Sequence, residues 1–90
     1  MYNITDYSFK QADKLGVDIK PSSNKKKKID VFKKDKKIAS IGAIGYKDYG
    51  TYLKIDKSLA DKRRELYKIR HKKDRKVKGS NGYFSDKILW

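Results

Sequence analysis

Residues 25–45 read "KKKKIDVFKKDKKIASIGAIG", and the reading of this stretch decides the fold class. Ile29 and Val31 alternate with Asp30 and Phe32, "KKDK" is a polar connector, and residues 38–44 are rich in β-branched side chains. That pattern has a strand's period and predicts a β-hairpin. Residues 38–46 are uncharged, so the second strand is expected to be the more buried one. Gly42 and Gly45 mark a bulge, a tight turn or a close approach of another backbone. The lysines on either side would flank the first strand with positive charge.

Helical signals lie outside the hairpin. "TDYSFKQADKLG" offers Thr5, Asp6 or Ser8 as an N-cap, Phe9, Ala12 and Leu15 at near-helical spacing, and Gly16 as a stop. "VDIKPSSN" carries a proline and small polar residues and is expected as an extended loop. After the hairpin, Tyr46, Tyr49 and Tyr52 recur every three residues, as in a turn or short helix that either completes the core or offers rings for base stacking. Ser58 is read as the N-cap of the longest helix, which runs to about residue 74. "GSNG" breaks it, and Tyr83, Phe84, Ile88, Leu89 and Trp90 then predict a last helical segment folded back on the core. Trp90 either docks on the protein's own body or anchors in a partner's pocket.

Together these elements predict an α+β fold: a short N-terminal helix, a β-hairpin forming a small antiparallel sheet, a long basic helix and a C-terminal aromatic helical segment packed on the core. The 90 residues suit a single small domain, with 21–28 expected as a flexible lysine-rich loop. A chain of this length buries only about 60–65% of the surface its unfolded form exposes, so bound partners would add to its stability. It has no cysteine, so disulfides and cysteine-bound zinc are excluded. No apolar run approaches the roughly 18 residues of a membrane span, and the first residues lack the order of a signal peptide. A soluble, intracellular protein without membrane insertion is expected.

The 25 Lys plus Arg against 11 Asp plus Glu give a net charge of +14, well beyond the magnitude of about 8 that ordinarily suffices for solubility. A field of this sign draws polyanions: nucleic acid, anionic membrane or acidic protein. All four arginines fall within residues 63–75, "RRELYKIRHKKDR", whereas the 21 lysines are spread widely. Arginine's planar fork grips phosphate or carboxylate with two bonds at once. Positions 59, 63, 66 and 70 (Leu, Arg, Leu, Arg) share one helical face, and 60, 64, 67 and 71 (Ala, Arg, Tyr, His) share the next. The arginines therefore border an apolar stripe.

Catalytic constellations are thin. His71 and Glu65, the only histidine and the only glutamate, point in different directions on one helix. Asp61 and Glu65 are better explained by ion pairs with Arg64 and Lys68 than by a shared metal ion. No nucleophile elbow, P-loop or dinucleotide fingerprint is present, so no enzymatic activity, cofactor or metal is expected. Phosphate binding has better support. The expected contacts are Arg63, Arg64, Lys68, Arg70, His71, Lys72, Lys73, Arg75, Lys76 and Lys78, centred on Arg70, His71, Lys72, Lys73 and Arg75, with help from Lys25, Lys26, Lys27 and Lys28. Arg63 and Arg64 are equally suited to orienting the helix through acid pairs.

Three stretches, "IASIGAIGYKDYGTYL", "RRELYKIRHKKD" and "GSNGYFSDKILW", resemble a set of short basic proteins of nucleocytoplasmic large DNA viruses. The resemblance spans about the last two thirds of the chain and rests on Tyr67, Arg70, His71, Gly79, Ser80, Gly82, Tyr83, Leu89 and Trp90. It implies two non-enzymatic roles: coating or condensing viral nucleic acid, DNA rather than RNA being the first expectation, or serving as a minor virion or capsid component that binds acidic protein surfaces. It also implies a location inside the infected cell, in viral factory, nucleus or cytoplasm, and in the virus particle.

Overall fold

The computed structural model describes residues 2–90. The fold is α+β: helix α1 (Asp6–Leu15), strands β1 (Asp18–Pro21), β2 (Lys27–Lys33) and β3 (Lys36–Ala43), helices α2 (Tyr49–Leu53) and α3 (Lys57–Arg70), a single 3-10 turn (Asp74–Lys76) and helix α4 (Asn81–Ile88). Of the three candidate caps, Thr5 begins α1, its hydroxyl accepting the Ser8 N–H at 3.2 Å, and Gly16 ends it. α3 starts earlier than Ser58 would have it. The Asp56 carboxylate takes the capping position and accepts the Ser58 N–H at 2.9 Å.

The hairpin is there, but it belongs to a three-stranded antiparallel sheet in the order β1-β2-β3. β1 is the segment expected as a loop. Its proline lies at the end of an edge strand, where a missing N–H breaks no interior ladder. This third strand makes β2 central and reverses the expected burial. Lys28, Ile29, Asp30 and Val31 of β2 are all buried, whereas β3 leaves Ile38 exposed. The lysine-rich loop expected at 21–28 is correspondingly shorter, because Pro21 closes β1 and Lys27 and Lys28 open β2. Between β2 and β3, Lys34 and Asp35 both adopt left-handed backbone (φ 52° and 63°), forming the two-residue turn that matches strand twist.

Ile19, Ile29, Val31, Ala39 and Ile41 of the sheet pack with Ala12 and Val17 and with Phe84, Ile88 and Leu89. The C-terminal segment therefore lies on the core as expected. Chain ends meet there: the Ser8 hydroxyl donates to the Ile88 carbonyl at 2.9 Å, and the Tyr7 hydroxyl donates to that of Trp90 at 3.1 Å. By strand alternation Asp30 faces away from Ile29 and Val31. It accepts the Ser22 and Ser40 hydroxyls at 2.6 and 2.7 Å and the Ser23 N–H at 3.2 Å.

A second buried carboxylate, Asp48, joins three elements. One oxygen caps α2 by accepting the Thr51 N–H at 3.0 Å; the other meets the Lys28 ammonium at 3.1 Å and the Tyr2 hydroxyl. Burial and the Asp48 carboxylate push the Tyr2 hydroxyl well above its ordinary pKa. Close by, α2 approaches α1 through Gly50, where a Cβ would lie 2.8 Å from that of Thr5. Gly50→Ala is expected to destabilise the protein by about 1–3 kcal/mol, measured by urea unfolding, since Thr5 is buried and cannot move without losing its cap.

Asp30 also gives a pH dependence. Burial opposes its ionisation, but the Ser22, Ser40 and Ser23 hydrogen bonds and the Lys37 ammonium outweigh that and lower its pKa. A carboxyl whose folded pKa is depressed stabilises fully above its unfolded value near 3.9, and that contribution disappears as pH falls through the folded value. Unfolding of wild type and Asp30→Asn compared from about pH 7 to about pH 3 should show a constant difference that shrinks below about pH 4.

Candidate functional site

α3 buries the row that holds Ala60 and Tyr67, leaving Leu66 half exposed. The other row, Arg63, Leu66 and Arg70, lines an open groove of about 770 Å3 bounded by the end of β3, α2 and α4. Aromatic rings form much of its wall. Trp90 stacks on Tyr67 (centroids 4.7 Å apart, planes 10° apart), Tyr67 stacks on His71 at 4.4 Å, and Tyr52 lies 6.3 Å from Trp90. Trp90 thus docks on its own chain and is half-buried.

The groove's charged side chains are of one sign. Lys27, Lys47, Arg63 and Arg70 line it, and among the described residues no Asp or Glu does. The Lys47 ammonium lies 5.9 Å and the Arg63 guanidinium 5.8 Å from the Tyr52 ring centroid, so cations and aromatic faces sit side by side. Tyr46, 75% exposed, borders this groove and a second depression of about 790 Å3 lined by Lys25, Lys27, Lys47 and Ile44. That depression has no carboxylate among its described lining residues either.

The expected phosphate contacts are thereby divided. Arg63, Arg70 and His71 come together with Lys27 at the groove, and Lys25 lines the neighbouring depression. Lys28, though it reaches both, is only 5% exposed and bound to Asp48, so its charge is spent inside the protein. Arg64 covers the Tyr49 ring at 4.0 Å and pairs with Asp61 at 3.6 Å, the orienting role. Lys68 was expected to pair with Glu65 but meets Asp86 at 2.7 Å, and the Arg75 guanidinium lies 3.9 Å from the same carboxylate. Asp86 is fully buried on α4, 18 and 11 residues from these partners, beyond any helical spacing rule. Lys72, past the end of α3, lines a separate depression together with Asp61 and Glu65. Lys26, Lys73, Lys76 and Lys78 are exposed.

The sequence pattern left Tyr46 and Tyr52 between core and base stacking, and it did not single out Lys47 or Tyr67 as their neighbours in one site. The available signal was "YKDYGTY", in which rings and a cation are interleaved. Its three tyrosines have separate fates: Tyr49 is buried, Tyr52 borders the groove and Tyr46 projects. Asp61, considered as a metal ligand, is held by the Lys57 ammonium at 2.8 Å and the Tyr49 hydroxyl at 2.7 Å, and these bonds lower its pKa. Among the described residues no three His, Cys, Asp or Glu side chains gather as a metal site would require, and no helix is long and apolar enough to cross a membrane.

Residues 17–51, which span the sheet and the start of α2, match a family of unknown function (DUF5754). No curated protein and no solved structure matches the chain.

The Asp86 cluster predicts a division of phenotypes. Asp86→Ala removes the carboxylate shared by Lys68, Arg75 and Lys87 and should destabilise by about 2 kcal/mol, with solvent screening of these part-exposed cations already allowed for. Lys73→Ala, at an exposed position, should change the urea midpoint by no more than about 0.5 kcal/mol equivalent.

Proposed function

We propose that this protein binds nucleic acid without catalysis, chiefly through phosphate contacts that carry no sequence preference. The observation that supports this most directly is the groove lined by Lys27, Lys47, Arg63 and Arg70 with no described Asp or Glu among them. A surface lined by no described Asp or Glu side chain while arginine forks border it is suited to a polyanion. The exposed Lys72, Lys73, Lys76 and Lys78 extend the positive field beyond the end of α3. Phosphates neutralised there would release counterions, which makes binding steeply salt-dependent.

The engagement of Asp61 with Lys57, Tyr49 and Arg64 favours the non-enzymatic reading. The stacking of Trp90 on Tyr67 favours nucleic-acid binding over a capsid role that needs Trp90 as an anchor in a neighbour. Taken with the resemblance to basic proteins of large DNA viruses, the proposed role is coating or condensing a DNA genome.

Fluorescence anisotropy of labelled DNA and RNA across salt concentrations tests the proposal. Log affinity should fall linearly with log salt, and Arg63→Ala/Arg70→Ala should reduce the slope by roughly one unit per lost phosphate contact. Absence of binding to any of these polymers near physiological salt would overturn the reading.

A further inference from the structure

We infer that the two depressions on either side of Tyr46 form one track for single-stranded nucleic acid, with Tyr46 and Trp90 as surfaces on which unpaired bases stack. This rests on the nucleic-acid reading above and goes further, because phosphate binding alone gives no use to the apolar part of the site. Tyr46 is 75% exposed, Leu66 50% and Val77 60%, and all three line the groove. A duplex would present phosphates and leave those surfaces in water. A single strand presents both phosphates and π-faces, and base–ring stacking tolerates any sequence.

Three features fit that ligand. Lys27 and Lys47 line both depressions, so a backbone crossing Tyr46 would meet cations on each side of it. The backbone beneath Tyr46 is fixed, since the buried Lys28 ammonium donates to its carbonyl. The groove's volume of about 770 Å3 lies within the roughly 300–1,000 Å3 of clefts that hold small organic ligands, enough to admit a base with its sugar. Trp90, the only tryptophan of the chain, lines that groove and provides an intrinsic reporter of stacking.

The test compares three probes of equal length, roughly ten nucleotides, in the range covered by one single-strand-binding module: an oligo-dT strand, an abasic strand with the same phosphates, and a duplex. The dT strand should bind more tightly than the other two and quench Trp90 emission, whereas the abasic strand should leave emission unchanged. Tyr46→Ala, at an exposed position and checked by its unfolding midpoint, should lower dT affinity about five-fold or more with little effect on the abasic strand. Equal or weaker binding of dT, with Trp90 emission unmoved, would overturn base stacking but leave phosphate binding standing. Failure of all three probes to bind near physiological salt would overturn both.

Discussion

The pairing of Lys28 with Asp48 is the constraint around which this small protein is arranged. An ammonium and a carboxylate that are 5% and 1% exposed bear a large desolvation penalty, which is offset only when their remaining bonding capacity is used. Here it is used well. The carboxylate also caps α2 and accepts from Tyr2, while the ammonium donates to the Tyr46 carbonyl. One buried pair thus fixes the N-terminal segment, the central strand, α2 and the loop that carries the exposed ring of Tyr46.

A second carboxylate does comparable work at the opposite end of the basic segment. Asp86 gathers Lys68 and Arg75 toward α4, so the chain after α3 bends back instead of continuing as a free cationic rod. Arg63 and Arg70, seven positions apart and therefore on one side of the helix, stay at the groove. Buried acids accordingly sort the cations into those that shape the fold and those that can meet a ligand.

How much of this was legible in the sequence follows from the range of each interaction. The helices and the strand character of residues 29–44 depend on neighbours a few positions away, and the pattern of apolar residues carried them, although α3 ends at Arg70, short of the expected residue 74 and well before "GSNG". The edge strand at residues 18–21 did not show, because four residues containing a proline have no strand signal until β2 pairs with them. Its addition made β2 central, which is why β3, uncharged from residue 38 onward, is the less buried of the two. The candidate surface was half legible. The density of cations in residues 63–78 pointed to it, but Lys28, Lys68 and Arg75 find their carboxylates 11 to 20 positions away, where no periodicity reports them. Leu66 has the spacing of a core residue, yet it faces the groove, because Ala60 and Tyr67 occupy the buried side.

The meeting of α1 with α4 has a consequence for biosynthesis. Ser8 bonds to Ile88 and Tyr7 to Trp90, across 80 and 83 positions, and Ile88 and Leu89 supply part of the innermost core. Contacts this distant form slowly and cannot form while the ribosome still holds one of the partners. The sheet emerges first with Ile29, Val31 and Ile41 uncovered, and it stays so until residues 81–90 are clear. During that interval its abundant lysines are its main defence against self-association, so the same charge that would attract a polyanion also keeps the nascent chain apart from its copies.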